Sequence, residues 1–266
     1  MLAGRTIAVT AERRAHQQVK YFESRGATAL WVPVLRTTEG PDRSDLHAAT
    51  GRLIEAGLDL LIAHTGQGLT WWLDTVRAAD RERLGQVLAS ANVMTRGSKA
   101  SSAARRNGLE VTWQAPNEVV SDLVAHLSSM DLVGSRCAVL LDGNDDRQVS
   151  DVARARGADV VELEVYRYAL PDDVGDVDRL IEQIVAGQVD AITFTSSPAI
   201  RHLRSIAFES GQLGALDAAV GTMCRPAVVG PVCAATAAAA SWGQVIEPAT
   251  ARLIPMLDAV VDAFAE

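Results

Sequence analysis

Four short stretches carry the residue types from which an anion site can be built. They are Thr65-Gly66-Gln67-Gly68, Gly97-Ser98-Lys99, Thr195-Ser196-Ser197-Pro198 and Gly230-Pro231-Val232-Cys233. Each follows a short apolar run and precedes a stretch with helical spacing, so each reads as a turn from strand into helix. The first turn of a helix leaves backbone N–H groups without partners, and the helix dipole adds partial positive charge there. A carboxylate or phosphate fits such an end. The competing reading is an ordinary cap, in which hydroxyls of the chain satisfy the same N–H groups. In that reading Ser197 is the cap and Pro198 the first helical residue, where a missing N–H costs nothing. Pro231 follows Gly230 in the same way.

One phenol stands out. Tyr166 lies in an extended run, "VVELEVYRY", whose counterpart earlier in the chain, "WVPVLRT", has Leu35 at that place. The architecture therefore does not demand a tyrosine. It is either a core aromatic or a phenol facing a cleft, protonated at neutral pH because its ordinary pKa is about 10, and able to give up a proton. Other groups offer less. Cys233 as a nucleophile lacks a His, Asn or Asp partner at a suggestive spacing, and a small buried thiol is the simpler reading. His64 sits at a strand end. "LLDGNDD" (Leu140 to Asp146) crowds three carboxylates, but not at the spacing of a calcium loop, so a solvated acidic turn is expected. No phosphate-binding loop and no GxGxxG follows a strand, so no nucleotide cofactor is expected, and no metal site is either.

The elements that must position these residues alternate. "RTIAVT", "LDLLIAH", "ANVMTR", "SRCAVLL", "VDAITFT" and "PAVVG" read as strands buried on both faces, and "HQQVKYFESRG", "DVARARGA" and "VGDVDRLIEQIVAGQ" as helices between them. That pattern predicts an α/β fold with parallel sheets flanked by helices. It also repeats. "GRTIAVT…SRGATALWVPVLRT" from Gly4 matches "GSRCAVL…ARGADVVELEVYRY" from Gly134, and "LDLLIAHTGQGLTWWL" matches "VDAITFTSSPAIRHL" with Asp59 on Asp190. "VMTRGSKASSAARRNGLEV" matches "AVVGPVCAATAAAASWGQVI", the second copy being two residues longer between its glycines. The order is A, B, A′, B′. Two similar lobes with a cleft between them follow, and clefts between lobes are favoured ligand sites. The extended runs near 31–37 and 160–168, each leading into an acidic turn with Pro and Gly (Thr37 to Asp45, Ala169 to Asp176), are read as paired crossovers between lobes.

Composition narrows the function classes. The chain has 266 residues, 48% of them hydrophobic, and a net charge of −8. That suits a globule with a sizeable core. No Lys/Arg block marks a nucleic-acid surface, and no apolar run of about 18 residues marks a membrane span. The first residues lack the pattern of a secretory signal, and Cys137, Cys224 and Cys233 form no CxxC pair. A monomer in a reducing cytoplasm is expected, and any anionic ligand must be held by local groups against the global field.

In ordered combination, "GRTIAVT", "RGATALWVPVLRT", "LIAHTGQG", "RGSKASSAARRNGL", "VYRYALP", "DAITFTSSPAI", "VVGPVCAA" and "PATARL" resemble the uroporphyrinogen-III synthase family, most closely its actinobacterial branch. The resemblance covers nearly the whole chain. It implies two α/β lobes joined by a two-stranded ladder, with lobe one formed by 1–36 plus 170–266, lobe two by 37–169, and the site in the cleft. It implies a reaction without metal or organic cofactor. Hydroxymethylbilane, a linear tetrapyrrole, loses its hydroxyl to give an azafulvene and closes through a spiro intermediate, inverting its last ring. Tyr166 matches the family tyrosine thought to assist departure of the hydroxyl. The substrate's eight carboxylates would meet the four turns, at Thr65, Gly66, Gly68, Gly97, Ser98, Lys99, Thr195, Ser196, Ser197, Gly230, Val232 and Cys233.

Two departures stand against the family pattern. Many members have Thr at the place of Cys233, and a thiol is a poorer donor. The helix after that turn reads as two residues longer. Some actinobacterial relatives continue into a winged-helix DNA-binding domain, which this sequence does not show. A non-catalytic ligand-sensing module of such a regulator is thus the alternative to the synthase, and a two-lobed solute-binding protein a third reading that the absent export signal disfavours.

Overall fold

A computed structural model describes residues 1–40, 43–141, 143 and 147–265. Eleven strands are present among them: β1 (Thr6–Val9), β2 (Thr28–Trp31), β3 (Arg36–Glu39), β4 (Leu60–Ala63), β5 (Asn92–Thr95), β6 (Val111–Gln114), β7 (Arg136–Leu140), β8 (Asp159–Leu163), β9 (Tyr166–Ala169), β10 (Ala191–Phe194) and β11 (Arg225–Val228). The chain divides into two compact units, Met1–Thr37 with Tyr168–Glu266, and Thr38–Arg167. It passes from one to the other within β3 and within β9, which pair as a two-stranded sheet. The two long extended runs of the sequence are therefore each broken: β2 and β3 are separated by Val32–Leu35, and β8 and β9 by two residues.

The first unit holds a parallel sheet in the order β11-β10-β1-β2, the second one in the order β6-β5-β4-β7-β8. In the repeat notation, the first sheet joins A to B′ and the second joins A′ to B, in the same order. β6 has a reduced counterpart in the first unit, where Ile246 alone bridges Ala227. The central strands are buried throughout: Leu60–Ala63 and Ala191–Phe194 have no exposed position. Helices cover both faces, as parallel sheets require.

The duplication extends to single hydrogen bonds. Asp190 accepts the N–H of Thr6 at 2.8 Å, and Asp59 accepts the N–H of Arg136 at 2.8 Å, each pinning the start of the neighbouring strand. Gly26 and Gly157 both sit at positive φ, +90° and +93°, in the Arg-Gly-Ala turn that feeds the second strand of each copy, where an L side chain would be strained. The Arg136 backbone N–H, with its guanidinium, holds the Asp59 carboxyl below the usual carboxylate range. Because the folded value is depressed, this contribution to stability is present above the unfolded pKa and is lost as pH falls through the folded one. Asp59→Asn is therefore expected to flatten the acid side of a stability-against-pH curve, measured by denaturant unfolding between neutral and acid pH.

The helix after β11 is not longer than its counterpart. Pro231–Ala239 and Ser98–Arg106 both have nine residues. The two extra residues fall after the helix, where Ser241 takes φ +59° and Trp242 packs on Phe194 at 5.4 Å and donates its indole N–H to Asp217. The insertion thus adds core rather than helix.

Candidate active site

In a parallel sheet the loops after the strand C-termini gather at one edge, and a ligand crevice forms where neighbouring strands send their helices to opposite faces. The first unit has such a point between β1 and β10. Ala15–Glu23, following β1, packs with Ile7 and Val9 on one face, whereas Ser197–Glu209, following β10, packs with Ala8 and Ile192 on the other. The turns Thr195–Ser197 and Gly230–Cys233 leave β10 and β11 at this edge. The turns Thr65–Gly68 and Gly97–Lys99 leave β4 and β5 at the corresponding edge of the second unit.

All four turns start helices, but their ends are satisfied differently. Thr65 caps Gly66–Thr75, its Oγ1 accepting the Gly68 N–H at 3.0 Å. Gly97 caps Ser98–Arg106 without a side chain of its own, and Glu118 supplies one: its Oε1 accepts the Ser98 N–H at 3.0 Å. This helix end thus already carries a carboxylate of the chain. Nothing in the sequence pointed to Glu118, which lies twenty positions away beyond β6 and takes φ +59°. The caps of the other two helices, Ser196 and Gly230, make no side-chain capping bond.

The cap before Pro198 is Ser196 and not Ser197, which is the first helical residue, with Pro198 second. The reason is local: Ser197 is buried and turns its hydroxyl away from its own helix end, donating to the Val232 carbonyl at 3.1 Å, with the Cys233 sulfur 3.9 Å away. Ser197 and Cys233 thereby tie the two turns of the first unit together. Cys233 is itself buried in the core, while Val232 is 45% exposed and Thr195 and Ser196 are half-buried. Because the Ser197 hydroxyl is committed to Val232, Ser197→Ala is expected to lower unfolding free energy by about 1 kcal/mol, read from denaturant melts, while substrate affinity changes less than about twofold.

In the second unit the glycines have packing reasons. A Cβ on Gly66 would lie 2.4 Å from the Lys99 carbonyl oxygen, because the two helices that begin here cross closely. A Cβ on Gly68 would lie 3.0 Å from Thr65 Oγ1 and 3.3 Å from the Tyr166 ring, and one on Gly97 would meet the Glu118 carboxylate at 2.8 Å. Ser98 and Lys99 are exposed and Gly97 is buried.

Tyr166 comes to the Thr65 turn from 101 positions away. Its hydroxyl is 3.1 Å from Thr65 Oγ1, and its ring packs T-shaped with that of Trp71, the ring centres 5.9 Å apart at 82°. The residue is only 2% exposed, so the ring is fixed by packing. Trp71, on the helix that Thr65 caps, was not distinguished by the sequence from any other amphipathic position. His64 is buried at the end of β4. Most of the acidic run Leu140 to Asp146 lies outside the described residues. Among the described residues no helix is long and apolar enough to cross a membrane.

Known proteins with the same pattern point in one direction. The profile of the family described as "Uroporphyrinogen-III synthase HemD" matches residues 16–258. A mutant uroporphyrinogen III synthase from the extremely thermophilic bacterium Thermus thermophilus superposes with a TM-score of 0.79 at 25% identity, covering 98% of each chain. The wild-type protein in a second crystal form gives 0.68 at 27% identity, covering 98% of this chain and 100% of that one. A relative from Methanothermobacter thermautotrophicus, described as a "Putative uroporphyrinogen-III synthase", is 28% identical over 194 residues, 73% of this chain and 74% of its own.

Proposed function

The chain belongs to the uroporphyrinogen-III synthase family and is an enzyme of that family, a cyclising lyase acting on a tetrapyrrole; we propose that Tyr166 is its acid and that its uncapped helix ends hold the substrate. The observation that carries this reading is the Tyr166 hydroxyl set against the capped end of a helix by Thr65, at a place where the other copy of the repeat has an alkyl side chain, Leu35.

In this reading Tyr166 gives its proton to the departing hydroxyl of hydroxymethylbilane. The C–O bond breaks, water leaves, and the pyrrole nitrogen's electrons form the azafulvene. The phenolate recovers a proton when the closed macrocycle regains its aromatic rings, so no net proton is consumed. The unassisted bilane also cyclises, but without inversion. The chain's task is therefore to steer geometry, and fixed contacts along the substrate do that better than one strong acid. Carboxylates of the substrate bind where backbone N–H groups lack a cap, at Ser196 and at Gly230 with Val232, which is how a chain of net charge −8 can take a polyanion. Gly97, Ser98 and Lys99 belong to this reading through Lys99 and the Ser98 side chain, since Glu118 occupies the Ser98 N–H. Cys233 keeps its turn in shape through Ser197. As part of the same reading the protein works as a monomer in a reducing cytoplasm. None of its three cysteines is in a disulfide, and burial pushes the thiols of Cys224 and Cys137 up to about 12 and about 11, which suits packing and not redox chemistry. The test is an assay with hydroxymethylbilane in which the product isomers are resolved.

A further inference from the structure

We propose that Gln114 binds a carboxylate of the substrate through its side-chain N–H groups, with Thr95 and Ser101 as positioning residues that turn those groups outward; the inference rests on the reading that the Gly97–Lys99 turn meets the substrate. Gln114 ends β6, and its register partner across the ladder is Thr95, the last residue of β5 and two positions before Gly97. Ser101 is the fourth residue of the helix that begins at Ser98. The three side chains form a row. Thr95 Oγ1 lies 2.6 Å from Ser101 Oγ, which lies 2.6 Å from the Gln114 amide. Thr95 and Ser101 are fully buried, and neither hydroxyl has a further partner among the described residues.

The partners of a side-chain amide decide which of its ends is the oxygen. Two hydroxyls carry two protons. With the amide oxygen inward, Thr95 donates to Ser101 and Ser101 donates to Gln114 Oε1, so both protons are used. With the nitrogen inward, the two hydroxyls have only each other as acceptors, and one buried proton goes without. An unpaired buried donor is the costlier state. The oxygen is therefore held inward and Nε2 is turned out. Nε2 makes no hydrogen bond to any described residue and is not enclosed by protein. The outward group can only donate, and the strongest acceptors on the substrate are its carboxylates. Glu118 already takes the Ser98 N–H, so a carboxylate at this turn must be met by side chains, and exposed Lys99 supplies positive charge to offset Glu118. The fold does not ask for this row. With Gly97 aligned on Gly230, the other copy of the repeat has Val228 at the place of Thr95 and Ala234 at that of Ser101, and Val228 is fully buried. An apolar pair thus serves the packing equally well.

Steady-state assays on hydroxymethylbilane compare Gln114→Met, Gln114→Glu, Ser101→Ala and Lys99→Met with the unaltered chain, well below each melting transition. Gln114→Met is expected to raise KM about fivefold. Gln114→Glu keeps an oxygen for Ser101 but turns a second one outward, and is expected to raise KM about tenfold or more. In both, kcat should stay within about twofold. Ser101→Ala frees the amide to rotate and is expected to raise KM about threefold in the unaltered chain, yet to add nothing in Gln114→Met. A KM that Ser101→Ala leaves alone, or raises equally in both backgrounds, would overturn the positioning role. A rise with Glu beside an unchanged KM with Met would reduce the effect to charge and overturn the contact. Unchanged KM in both Gln114 variants while Lys99→Met raises it would overturn the Gln114 role and leave the turn as a substrate contact. Unchanged KM in all of them would remove the turn from substrate binding altogether.

Discussion

Replacing Tyr166 by phenylalanine is expected to lower kcat about a hundredfold while leaving KM within about twofold, in line with what a positioned general acid contributes. The ring is 2% exposed and packs against Trp71 and Gly68. Phenylalanine keeps all of that packing and removes one oxygen. Thr65 loses a partner but retains the Gly68 N–H, so its cap survives. Stability should therefore change by no more than about 1 kcal/mol, the usual net value of one hydrogen bond. A variant that melts normally and turns over slowly separates the phenol's chemistry from its packing. One that keeps the unaltered kcat assigns Tyr166 to the core alone.

The second large effect is structural. Gly66→Ala is expected to destabilise the protein by about 2 kcal/mol, measured as a lower denaturant midpoint at unchanged slope. Alanine gains up to about 1 kcal/mol over glycine in helix propensity. Against this stands a Cβ placed 2.4 Å from the Lys99 carbonyl oxygen, with Ala103 Cβ a further 3.2 Å neighbour. The obstacle is backbone and cannot rotate away, so the two helices must separate. Overpacking of this kind costs about 1–3 kcal/mol, and the shortness of the contact argues for the upper end. Because the separation moves the Thr65 cap, kcat should fall as well. A melt no worse than that of the unaltered chain would mean that the two helices tolerate a wider crossing.

Much of the fold was legible because the information was local and repeated. Alternating apolar runs predicted α/β, and the match of Asp59 with Asp190 carried through to identical strand-start hydrogen bonds. The repeat also predicted which residues are exceptional: Tyr166 stands where Leu35 is buried in the other copy. What was illegible depends on contacts between distant positions. No pattern in "TFTSSP" distinguishes Ser196 from Ser197 as the cap, because the choice is made by the Val232 carbonyl. The Gly97 turn looked open to a ligand, and only the path of the chain after β6 brings the Glu118 carboxylate to it. The glycine pair Gly66 and Gly68 read as a loop for anions, whereas the crossing of two helices and the tyrosine ring account for both. A longer span between glycines read as a longer helix, but its extra residues fold back to bury Trp242.

The central claim is that this chain directs ring closure with inversion. The most direct measurement gives hydroxymethylbilane to the purified protein, quenches at short times, oxidises the products and resolves the porphyrin isomers chromatographically. Isomer III, formed far faster than the bilane closes unaided, is the result predicted. Isomer I alone, at the rate seen without protein, would contradict it.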